Sequence, residues 1–170
     1  FMFYLLHGQD TYRSREKLNE LLKYFKTKIS DLGVYKINGD SFNEAEFEEI
    51  IRAKNLFEKK YLIICERVTE NKLASVFVED SLEKCAKSEN IFLFLEEEVE
   101  EKRLEKFKKY AAKIQEFKLL TGVKLKEWFN EKKIPANIAS DIVKKCGSDL
   151  WGASKEIEKY SLGSLTAKQE

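Results

Sequence analysis

A chain of 170 residues that is 43% hydrophobic has the apolar side chains for one domain or two small ones. Charged residues make up 36%, but their signs nearly cancel to a formal +1, which excludes an overall basic footprint for duplex DNA and leaves room only for a local patch. No stretch approaches the roughly 20 apolar residues of a membrane span, and no signal-peptide pattern precedes the first apolar run. Cys65, Cys85 and Cys146 are odd in number and widely spaced, so they read as reduced structural thiols of a cytosolic protein and not as a disulfide or zinc framework. His7 is the only histidine, reads as structural, and gives a metal site no support.

In chain order, Phe3 to Leu6 is a short buried strand. Asp10 is placed to cap a helix carrying Leu18, Leu21, Leu22 and Phe25 at helical spacing. Val34 to Ile37 is a second strand, ended by the turn signal Asn38-Gly39-Asp40. In "SFNEAEFEEII", Ser41 and Glu44 have capping-box spacing, and Phe47, Ile50 and Ile51 form the inner face of a helix. Tyr61 to Cys65 is a continuous apolar run, as expected of a strand covered on both faces. A helix around Leu73, Val76 and Phe77 follows, then the apolar run Ile91 to Leu95. A charge-rich helix, "EEEVEEKRLEKFKKYAAK", carries a stripe of Leu104, Phe107, Tyr110 and Ala111, and Ile114 to Phe117 is a last strand.

Strands alternating with helices imply a mainly parallel sheet with helices on both faces. The alternation stops near Phe117, and only helices follow. "VKLKEWFNEKK" is the first. The second has Pro135 in its first turn, carries Ile138, Ile142 and Val143, and is closed by Gly147. "SDLWGASKEIEKY" is the third, capped by Ser148 or Asp149. Trp128 and Trp151 on these helices read as core or domain-interface residues. The chain is therefore expected to hold an α/β domain over 1–118 and a three-helix piece over 119–170.

The turn in "YLLHGQDTYRSREKL" stands where a nucleotide-binding protein keeps its phosphate loop. A working loop reads G-x-x-x-x-G-K-[ST]: glycines admit the backbone amides to the phosphates, the lysine neutralises them, and the hydroxyl holds magnesium. Counting from Gly8, the second Gly, the Lys and the Ser/Thr fall on Arg13, Ser14 and Arg15. Either arginine could attract an anion, but neither restores the amide cradle. The metal-holding Asp at the end of a buried strand is answered only by Glu66, which reads as a solvated carboxylate. The residues alone make this stretch a plain strand-to-helix turn.

The ordered set "YLLHGQDTYRSREKL", "NGDSFNEAEFEEIIRAKNLFEKKYLIICERV", "IFLFLEEEVEEKRL", "KIQEFKLLTGVKLKEWF" and "CGSDLWGASKEIEKY" resembles the delta subunit of bacterial DNA polymerase III, the clamp-loader subunit that opens the sliding clamp. The resemblance covers nearly all of Phe3 to Tyr160. It implies a nucleotide-free AAA+ module (a P-loop NTPase fold), a three-helix lid, and a C-terminal collar that would lie beyond Glu170. Gly8, Arg13, Ser14 and Arg15 would then be a phosphate loop by descent without its chemistry. Related ATPases place a nucleotide-touching arginine early in the last lid helix, and here Trp151 stands in that place. The resemblance implies no cofactor and no catalysis. The implied partners are the beta sliding clamp, gamma/tau and delta-prime subunits through the collar, and primed DNA indirectly.

The family's apolar plug for the clamp pocket falls on Leu56-Phe57 in "RAKNLFEKKYLII". From the residues alone, this pair is either an anchor offered at an exposed end of the sheet or a small cap folded back on the core. Two other readings of the whole stand beside this one: an active P-loop ATPase or nucleotide kinase with an atypical loop, and a clamp-loader relative acting as a scaffold without binding the clamp.

Overall fold

The protein was analysed as a computed structural model that describes residues 2–52 and 60–166, with side chains to residue 163. It divides into two compact units, Phe1–Phe117 and Lys118–Glu170.

The first unit is built on five parallel strands: β1 (Met2–His7), β2 (Gly33–Asn38), β3 (Tyr61–Glu66), β4 (Ile91–Glu96) and β5 (Lys113–Glu116), in the order β2-β3-β4-β1-β5. The unbroken apolar runs of β3 and β4 take the inner places, where both sides of each strand are covered. Edge strand β2 shows more of itself to water. Helix α1 (Thr11–Lys28) lays Leu18 and Phe25 on one face, with Leu6, Leu62, Ile64 and Leu93. The other face takes α2 (Glu44–Arg52), α3 (Lys72–Lys87) and α4 (Glu101–Tyr110), through Phe47, Ile51, Val78, Leu82, Cys85 and Phe107. Phe94 is at the centre of that core, edge-on to Phe3 and Phe107 at ring distances of 5.6 and 5.2 Å.

Several local expectations are corrected. Helix α2 is capped by Asn43, whose Oδ1 accepts the Glu46 amide at 3.0 Å, while Ser41 ends a short 3-10 turn over Gly39–Ser41. Asn43 wins because its acceptor is three residues ahead of that amide, where a cap must be. In α3 the inner face runs through Ala74, Val78, Leu82 and Cys85, which puts Leu73 and Val76 outward at 77% and 59% exposure. The charge-rich stretch is divided: Glu96 ends β4 and the helix begins only at Glu101.

The second unit consists of α5 (Gly122–Glu131), α6 (Ala136–Cys146) and α7 (Leu150–Thr166). Its buried residues include Leu125, Trp128, Phe129, Ile142, Leu150 and Ala153. Gly147 closes α6 at φ 59°, a left-handed conformation that glycine adopts without strain. Asp149 caps α7 by accepting the amides of Trp151 and Gly152, and Ser148 donates instead to the Leu120 carbonyl at 2.6 Å. Trp151 is 45% exposed and so is not a core residue. Among the described residues no helix is long and apolar enough to cross a membrane.

Phe94→Ala should cost about 3–5 kcal/mol, because the rings around it cannot collapse into the space. Leu73→Ala should stay within about 0.5 kcal/mol. Urea unfolding of the two variants checks both values.

Candidate functional site: a phosphate loop filled from within

In a parallel sheet every strand ends on the same edge, and ligands of such folds bind beyond those carboxyl ends. Here that edge carries the β1–α1 turn, Glu66 at the end of β3 and Glu96 at the end of β4. The register pairs His7 with Glu96 and Glu66 with Leu95.

Between β1 and α1 there are only Gly8, Gln9 and Asp10. Gly8 is needed for close approach. Its φ is 130°, a Cβ there would sit 2.3 Å from the Phe117 carbonyl oxygen, and its amide donates to the carbonyls of Glu96 and Glu97. The helix then starts so early that Arg13, Ser14 and Arg15 already lie in its first turns, so no loop is left to arch over a phosphate.

The amides at the helix start are also engaged. Asp10, 3% exposed, accepts the Arg13 amide on Oδ1 at 3.0 Å and the Arg13 guanidinium on Oδ2 at 2.7 Å. The Thr11 amide donates to the Gln9 carbonyl and the Ser14 amide to the Asp10 carbonyl. A helix N-terminus attracts an anion through its free amides and its dipole, and here the chain's own carboxylate supplies that anion. Ser14 is buried, its hydroxyl turned back to the Thr11 carbonyl.

The metal-holding position is taken in the same way. Glu66 is not solvated: its two oxygens accept a fork from Arg15 at 2.6 and 2.8 Å. Those hydrogen bonds hold the Glu66 carboxyl below its usual range against the opposing effect of burial, and they raise Arg15. A divalent ion would have to displace a bidentate guanidinium, the strong form of such a pair. Among the described residues no group of three or more His, Cys, Asp or Glu side chains could hold a metal. Trp151 lies in the first turn of α7 and offers no cation.

Glu96 was not singled out from the sequence. It is 2% exposed, and its oxygens accept the amides of Val68 and Thr69 at 3.1 Å and the Thr69 hydroxyl at 2.6 Å. It thereby ties the β3–α3 connection to the end of β4. The available signal was an acid closing the uninterrupted apolar run "IFLFL". Burial pushes its carboxyl up to about 7, against the pull of those three donors and with a small further push from Glu70. Glu97, Glu98, Glu100 and Glu101 follow it, while Glu66 pairs with Arg15, and Asp40 and Glu70 pair with Arg67.

At the opposite edge, the structure fixes where the Leu56-Phe57 segment leaves and rejoins the fold; Leu56 and Phe57 themselves lie outside the described residues. Asn90, 1% exposed, donates to the Ile50 carbonyl at 3.0 Å and accepts the Tyr61 amide at 3.1 Å. Ser88 donates to the Ile51 carbonyl and accepts the Asn90 amide, both at 3.2 Å. The end of α2 and the start of β3 are thus held by one buried pair of side chains.

No protein-family model matches this chain, and no curated protein matches it by sequence. Solved structures do match in fold. The Bacillus subtilis DNA clamp loader delta protein superposes with a TM-score of 0.63 at 17% identity, covering 94% of this chain and 52% of the other. A Thermotoga maritima RuvB variant gives 0.55 at 13% identity over 90% and 52% of the two chains. A DNA polymerase III gamma subunit-related protein from Thermotoga maritima gives 0.51 at 14% identity over 92% and 53%. The chain spans about half the length of the structures it matches, and its fold is that of the AAA+ P-loop proteins of the clamp-loader and RuvB type.

The raised Glu96 carboxyl has a definite consequence. A group whose folded pKa exceeds its unfolded value, near 4.5, stabilises fully below that value and loses the contribution as pH rises through about 7. Glu96→Gln lacks this dependence. The stability of the variant relative to the parent should therefore increase between pH 4.5 and 8, by at most about 3 kcal/mol. Urea titrations of both proteins at pH 5 and 8 measure it.

Proposed function

We propose that this chain is the clamp-binding part of a clamp-loader delta subunit, comprising a nucleotide-free AAA+ module and its lid. The observation that carries this reading is the internally filled phosphate site in an AAA+ fold. Asp10 supplies the anion at the start of α1, and Arg15 supplies the cation at Glu66. An AAA+ module of this kind has kept the scaffold and given up the chemistry, so it acts by binding. The family resemblance points to Leu56 and Phe57 as the binding residues.

In this reading Leu56 and Phe57 enter an apolar pocket of the beta sliding clamp and hold it in an opened form. No reaction is needed. A partner shifts a closed-to-open equilibrium by binding the open form better, and by no more than that difference in affinity. Energy for cycling comes from ATP on other subunits, gamma/tau among them. In the family it resembles, a collar domain joins the delta subunit to these and to delta-prime. Primed DNA is met through the assembly.

The competing reading, an active P-loop ATPase, requires the Asp10–Arg13 and Arg15–Glu66 pairs to open. Calorimetric titration with magnesium-ATP should give no binding heat, and a micromolar dissociation constant would overturn the nucleotide-free assignment.

Changing Leu56 and Phe57 together to Ala should abolish clamp binding and leave the melting temperature in place. Each such side chain contributes roughly 1.5–3 kcal/mol on burial, so the pair amounts to a loss on the order of 10² to 10⁴ in affinity. An unchanged isotherm favours the scaffold reading. A large fall in melting temperature makes the pair a core cap.

A further inference from the structure

The near-zero net charge of the chain conceals a separation of charge across the α/β unit. In a parallel sheet each helix returns to the edge where the strands begin, so α1 to α4 all end there. All four end in basic residues: α1 in Lys26 and Lys28, α2 in Arg52, α3 in Lys84 and Lys87, and α4 in Lys108 and Lys109. Lys60 precedes β3 and Lys113 opens β5 on the same edge. Cations at helix ends favour the helix dipole, which accounts for each one locally. The topology gathers them into a belt, while the carboxyl edge collects the acids.

The belt is only partly neutralised. Arg52 and Lys84 share Glu48, Lys87 meets Glu83, and Lys108 meets Glu105. Lys26, Lys28, Lys60 and Lys113 are exposed, with no ion pair among the described residues. Among the described residues, Asp31 and Glu89 are the acids in the turns there. Beside Lys60, the Tyr61 ring lies over Gly33 and meets Tyr35 edge-on at 5.3 Å, leaving Tyr35 46% exposed. A cationic rim beside an exposed tyrosine, Tyr35, has the composition of a protein interface. The basic residues sit at four separate helix ends on two faces of the sheet, not along one groove that could track a phosphate backbone.

We infer that the amino edge of this sheet is a docking face for an acidic protein surface. Its lysines set the association rate, and Tyr35 slows dissociation. The inference rests on the proposed clamp-binding role and adds what that role leaves open: the clamp surface around the pocket is acidic, and the two meet under electrostatic steering.

Stopped-flow binding of the whole chain to the sliding clamp of the same organism tests this. Lys26→Glu/Lys28→Glu/Lys113→Glu should associate roughly tenfold more slowly at low salt, with an unchanged dissociation rate. The difference should vanish near 1 M salt, where the screening length is about 3 Å. The milder Lys→Gln triple variant should show the same direction and serves if the Glu variant folds poorly. Tyr35→Ala should dissociate roughly tenfold faster at an unchanged association rate. Wild-type chain that does not bind the clamp at all would sink the clamp-binding role and this inference together. Binding with association rates equal across the charge variants would sink the inference alone. Slower association with a labelled oligonucleotide but not with the clamp would overturn it in favour of nucleic acid.

Discussion

The contact on which the site depends is the Asp10 carboxylate at the start of α1. The first amides of a helix need acceptors, and in a working phosphate loop the nucleotide provides them. Here one side chain does so from three residues away, and its second oxygen holds Arg13, whose guanidinium also lies over the Phe117 ring at 5.9 Å. With the acceptor built in, the strand-to-helix connection can be short. A short connection in turn brings Gly8 against the residue that follows β5, Phe117.

Arg15–Glu66 and Glu96–Thr69 extend this logic along the carboxyl edge. Each joins elements of that edge through side chains: α1 to the end of β3, and the β3–α3 connection to the end of β4. The two carboxylates meet different fates because their partners differ. Glu66 faces a permanent cation and stays ionised to lower pH, whereas Glu96 faces only neutral donors inside the fold and holds its proton to higher pH. Arg103 makes a similar tie further out, reaching the Thr69 carbonyl and Ser75 from α4 while pairing with Glu79 on α3. These ties join the elements of the carboxyl edge to one another through side chains of the chain itself.

The other end of the strands is organised by Asn90 and Ser88, which satisfy the last carbonyls of α2 and the first amide of β3. The charge separation follows from the same topology. Parallel strands send every helix C-terminus to one edge, so the ordinary preference of bases for helix C-terminal ends adds up there over all four helices.

Much of the fold was legible in the sequence because it is written in local periodicities. The apolar runs of β3 and β4, the helical spacing of Leu18 and Phe25, and the glycine after α6 each act within a few residues. The departure from the phosphate motif was legible too, since Arg13, Ser14 and Arg15 stand where the motif has Gly, Lys and Ser/Thr. What the sequence could not specify is what fills the space. That Arg15 reaches Glu66 across 51 positions, that Glu96 turns inward to Thr69, and that Leu73 and Trp151 turn outward all depend on which surfaces the packed sheet leaves next to one another. Solvation alone would send Glu66 to water and Leu73 to the core. Tertiary packing reversed both by offering the first a guanidinium and denying the second a place on the inner face of α3.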